Sequence, residues 1–154
     1  MHIDPNYPSS VEAAAECAKK GEHEPFNTPP DPEDRRVNTE LLGAFMGAAM
    51  EVPIGCRPCQ ARLLDDLADS PDTVARLVEV AAMMYTEAFG GVPSTIMDAE
   101  AGAVAPEFAR LAAAGADGHN ADMYALAHQM SRQERRVGAS AAADAIVGML
   151  AVLG

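Results

Sequence analysis

The sequence contains no tryptophan, and aromatic residues make up only 5 % of its 154 residues. Alanine, leucine and methionine dominate instead. That mixture has strong helix propensity and little of the β-branched and aromatic content that strands favour, so an all-α fold is expected. Positive charge is scarce as well: 11 Lys and Arg stand against 23 Asp and Glu, for a formal net charge of −12. Between Glu79 and Ser131 the one basic side chain, Arg110, faces Glu79, Glu87, Asp98, Glu100, Glu107, Asp117 and Asp122. Such a surface cannot collect phosphates by counterion release, which argues against direct nucleic-acid binding.

Long apolar runs are missing too. Asp144 interrupts the most apolar segment, and the opening "MHIDPNYPSS" lacks the basic and apolar regions of a secretory signal. No membrane association is expected, and the reading is cytoplasmic. Only 3 cysteines are present. In a reducing compartment these are thiols, metal ligands or a transient disulfide rather than structural bridges. A chain of this length buries roughly two-thirds of its unfolded surface and requires no such staple. Also absent are a glycine-rich phosphate loop, a nucleophile elbow, an HExxH motif and any internal repeat.

What is present falls into two parts. Residues 1–38 are rich in proline and charge, with "PNYPSS" and "EPFNTPPDPEDRR" flanking one short helical pattern, "SSVEAAAECAKKG". This reads as an N-terminal arm that is mobile or ordered by a partner. Residues 39–154 read as a single helical domain, a compact orthogonal or bundle-like body of about six helices. Asn38 is placed to cap "TELLGAFMGAAM", with Leu41, Leu42, Phe45, Met46 and Ala49 on one side. A second helix starts within "CRPCQARLLDDLAD". In "SPDTVARLVEVAAMMYTEAFGG", Ser70 caps, Pro71 starts and Gly90 with Gly91 ends a helix. Its stripe of Val74, Leu77, Val78, Ala81, Met84, Tyr85 and Ala88, widened by Val80 and Met83, marks it as the central core helix. Two short helices divided around Gly102 and Pro106 follow, then "NADMYALAHQM", then a final helix for which Ser131 and Glu134 form a capping-box pattern.

The sharpest chemical signal is "PIGCRPCQARLL". Cys56 at a helix N-cap or first turn, with Cys59 following, brings both sulfurs to the end of a helix where unpaired N–H groups and the dipole favour thiolate. Arg57 and Arg62 add positive charge. The pair suits thiol–disulfide exchange, in which one thiolate attacks and the other resolves. The same two sulfurs could serve zinc if joined by further ligands, and His119 in "DGHNAD" is the candidate third ligand. Helix capping by Asn120 or Asp117 is the simpler account of that stretch. His128 reads as a half-buried helix residue, and Asp65, Asp66 and Asp69 read as a solvated face.

"GCRPC", followed by a helix and then by a second helix opened by "SPDTV", resembles the small all-helical peroxidase-reductases of the AhpD and carboxymuconolactone decarboxylase type. The resemblance implies redox work at Cys56 and Cys59. The family pattern carries a histidine where this chain has Leu63, and a proton-relaying glutamate upstream, for which Glu51 and Glu40 are the candidates.

The leading expectation is a small acidic interaction or regulatory module, non-enzymatic and without cofactor, that binds a protein partner or a second copy of itself. Its contact surfaces would be the arm and a groove built from Met46, Met50, Met83, Met84, Met123 and Met130. The alternative is a thiol–disulfide oxidoreductase or redox sensor using Cys56 and Cys59. A third reading is a regulatory protein stabilised by zinc on Cys56, Cys59 and His119. Arg132, Arg135 and Arg136 read as a solubilising cluster at the start of the last helix, or as a contact for an acidic neighbour.

Overall fold

The computed structural model describes residues 36–50 and 56–153, and among these it is all-helical, with seven α-helices and no strand. Nearly all of the proposed arm, including Cys17 and His23, and the 51–55 loop with Glu51 lie outside the described residues. The helices are α1 (Thr39–Ala49), α2 (Arg57–Leu67), α3 (Pro71–Phe89), α4 (Ser94–Met97), α5 (Pro106–Ala114), α6 (Asn120–Gln129) and α7 (Arg132–Leu153), with a single 3₁₀ turn at Ala116–Gly118. None is long and apolar enough to cross a membrane.

The boundaries follow local chemistry. Asn38 caps α1 through its side-chain oxygen, which accepts from the Leu41 N–H at 3.0 Å. Pro58 and Pro71 sit in the first turns of α2 and α3, where a missing N–H leaves no helix bond unmade. Gly90 ends α3 in the left-handed conformation, φ 82°, that a residue with a Cβ avoids. The Ser131–Glu134 box opens α7 with both reciprocal bonds, Ser131 N–H to Glu134 at 3.0 Å and Glu134 N–H to Ser131 Oγ at 3.1 Å.

Ser70 departs from expectation. It occupies the N-cap of α3 but makes no side-chain bond to the helix backbone. Its hydroxyl meets Thr73 Oγ1 at 2.6 Å, and Thr73, fully buried, also accepts the Asn38 N–H at 2.9 Å. The hydroxyl pair thus joins the start of α3 to the cap of α1.

Helix α3 is the hub. It packs on α7, α6, α5, α1 and α2, and Val74, Leu77, Val78 and Ala81 are fully enclosed. Helix α1 is buried all round from Leu41 to Ala48, not only along the expected stripe. Three of the six methionines assigned to a contact groove, Met46, Met123 and Met130, are core residues, and Met50 and Met84 are half-buried. Met83 is exposed rather than part of the buried stripe. In a core rich in alanine, the flexible thioether fills space that branched residues would leave empty.

Candidate functional site

Both cysteines lie in the first turn of α2. Cys56 is the N-cap residue, with extended backbone (φ −89°, ψ 90°). Its N–H donates to Ala48 O at 2.8 Å, and its carbonyl accepts the first helical bond, from Gln60 N–H at 3.0 Å. Cys59 is the third residue of the helix. Each is half-buried and packs against the core. The first turn of α2 carries no acidic residue, Arg57 is exposed and Arg62 is half-buried. Positive potential from the helix end and Arg57 is therefore not offset by a carboxylate within that turn.

The other candidates are elsewhere or have other work. Leu63, at the position of the family histidine, is fully buried and packs in the core. Glu40 is exposed in the first turn of α1. His119 occupies the N-cap of α6, is largely exposed, and lies 3.8 Å from Asp122. Among the described residues no group of three or more His, Cys, Asp or Glu could hold a metal ion, so His119 does not join the two cysteines in such a group. His128 is exposed, with Nε2 2.6 Å from Asp72 Oδ1.

Neither Asn120 nor Asp117 caps α6. Asp117 has left-handed backbone (φ 58°), and Asn120 turns its amide inward to donate to Glu79 Oε2 at 2.9 Å. Glu79 belongs to a buried polar cluster that sequence reasoning missed. Tyr124 donates to its Oε1 at 2.7 Å, and Arg76 lies 2.9 Å from the same oxygen. Arg76 and Glu79 are respectively 2 % and 8 % exposed. The available signal was "TVARLVEVAA", where opposite charges at helical i,i+3 spacing stand alone in an otherwise apolar run. A buried charge requires a partner, and the spacing supplies one.

Glu79 and Asn120 also line a cleft of about 530 Å³ between α3, α4 and the turn from α5 to α6. A second hollow of about 520 Å³ lies between α3, α7 and the segment leading into α5. Tyr85 and Asp144 line that hollow, and burial raises the pKa of both.

The arginines at the start of α7 are not a loose solubilising group. Arg132 Nε donates to Asp69 at 2.9 Å, and Arg136 lies 3.7 Å from Asp65. Arg135 reaches the carbonyls that end α2 and α6, donating to Ala68 O at 2.7 Å, to Ala127 O at 3.3 Å and to Met130 O. Asp65 and Asp69 are thereby paired rather than merely solvated.

Comparisons with protein families, with curated proteins and with solved structures find no match to this chain.

Proposed function

We propose that the chain is a thiol–disulfide exchange protein whose working groups are Cys56 and Cys59. The reading rests on one observation: the N-cap residue of α2 and the third residue of the same helix are both cysteines, half-buried at the amide-rich end. Cys56, as thiolate, attacks one sulfur of a substrate disulfide. That S–S bond breaks, and the departing thiolate takes up a proton equivalent to the one Cys56 released. Cys59, after losing its own proton, attacks the Cys56 sulfur and expels the second substrate thiol. The protein ends as a Cys56–Cys59 disulfide and the substrate as two thiols. Anionic sulfur in each step meets the positive potential of the helix end and of Arg57 beside Cys56.

The test is exposure of the reduced protein to oxidised glutathione, followed by alkylation and peptide mapping. A disulfide joining Cys56 to Cys59, with Cys17 alkylated, is the expected product. A pair that stays reduced, or a disulfide that includes Cys17, sinks the reading.

A second reading, a non-enzymatic interaction module, draws on the two large apolar side chains of α3 that face solvent, Met83 at 48 % and Phe89 at 57 % exposure. It expects concentration-dependent self-association in sedimentation that Phe89→Ser abolishes.

A further inference from the structure

The cleft between α3, α4 and the α5–α6 turn has one chemical character. Its walls are Ala82, Met83, Val92, Met97 and Ala112, and its ionisable lining groups are both carboxylates, Glu79 and Asp117. At about 530 Å³ it falls within the size of ordinary small-molecule sites.

Glu79 is set rigidly at the inner wall. Two of its bonds, from Tyr124 and Arg76, converge on Oε1, whereas Oε2 takes, among the described residues, the Asn120 amide. A carboxylate offers about four acceptor positions, so one remains on Oε2. Arg76 balances the Glu79 charge from outside the cleft lining, which leaves Asp117, among the described residues, as the wall charge without an ion pair. Asp117 is exposed and held on a left-handed turn with Gly118 (φ 58° and 84°). A ligand anion would meet carboxylates with no cationic side chain in the lining among the described residues. A ligand cation would meet an oriented acceptor inside and a negative charge at the mouth.

We propose that this cleft binds a small amphipathic ammonium compound. The ammonium group donates to Glu79 Oε2 within the field of Asp117, and the hydrocarbon body lies against Met83, Val92 and Met97, where thioethers adapt to its shape. The site is independent of the cysteine pair, so the two proposals stand or fall separately.

The experiment follows methionine methyl resonances of the full chain at neutral pH during titration with n-hexylamine, with hexanoate as the control of equal length. Saturable shifts of Met83 and Met97, with Met46 and Met130 unmoved and no response to hexanoate, are expected. Asp117→Asn, an exposed change that suits the left-handed turn, should weaken the amine by up to about five-fold, the worth of an exposed ion pair. Ala82→Leu, which narrows the cleft without touching the polar cluster, should weaken it further. Equal shifts with hexanoate, or no saturable shift with the amine, overturn the proposal.

Discussion

Arg135 donates from Nε to the carbonyl of Ala68 at 2.7 Å, so a residue in the first turn of α7 closes the end of α2. The same guanidinium serves Ala127 and Met130 at the end of α6. Helix C-termini leave carbonyls without helical partners, and a cation there satisfies both the bond and the dipole. Arg135→Ala should therefore lower stability by about 2 kcal/mol, beyond the ordinary cost of a surface change. Urea denaturation measures it, and a midpoint equal to that of the parent chain would show the staple to be idle.

The cluster at Glu79 makes a graded prediction. Tyr124→Phe removes one bond from a carboxylate that keeps two others, and about 1 kcal/mol should be lost. Glu79→Leu strands Arg76 in the interior without its counter-charge, and the loss should rise to about 3 kcal/mol or more. Replacing Arg76 and Glu79 together by methionine and leucine should recover much of that loss. A double variant as unstable as Glu79→Leu alone would show that the penalty is not the stranded charge.

Leu63→His supplies the histidine of the peroxidase-reductase pattern at the corresponding position. Because Leu63 is fully enclosed, the imidazole enters the core, and a loss of about 3 kcal/mol is expected with no gain of peroxide turnover. Activity gained without loss of stability would show that the position opens toward the cysteines.

The capping box of α7 is pH-sensitive. The Ser131 N–H bond, then the Ser131 hydroxyl and Arg110, hold the Glu134 carboxyl below its ordinary pKa, 4.5. A depressed carboxyl stabilises the fold fully above the unfolded-state value and ceases to do so as the pH falls through the folded-state value. The difference in urea midpoint between the parent chain and Glu134→Gln should thus be constant at neutral pH and shrink below the ordinary glutamate range. A difference that persists unchanged at low pH would assign the effect to shape rather than charge.

The helix ends were legible because their signals are local. Asn38, Pro71, Gly90 and the Ser131–Glu134 pair each act on backbone within one turn, and the sequence spacing alone states which groups can meet. The long-range assignments were not legible. Arg135 could be read as a surface cation until the ends of α2 and α6 were known to arrive beside it. Asn120 could be read as a cap until Glu79 was found within its reach. Met46 and Met83 carry the same side chain with opposite fates, because which side of a helix is covered depends on partners far away in the chain. The cysteine pair is intermediate: its position at the start of α2 was readable from Pro58 and the following leucines, whereas the half-burial of both residues depends on the packed core.

Asp72 has a mechanical consequence. One oxygen receives the Arg36 N–H at 3.1 Å while the other lies 2.6 Å from His128 Nε2. Two residues further on, Asn38 is tied to Thr73, the neighbour of Asp72. Residues 36–38 are therefore doubly fastened to a corner shared by the start of α3 and the end of α6. A displacement of the Arg36–Asn38 backbone is therefore borne by Asp72 and Thr73 and passes into the hub helix, with α6 loaded alongside it through His128.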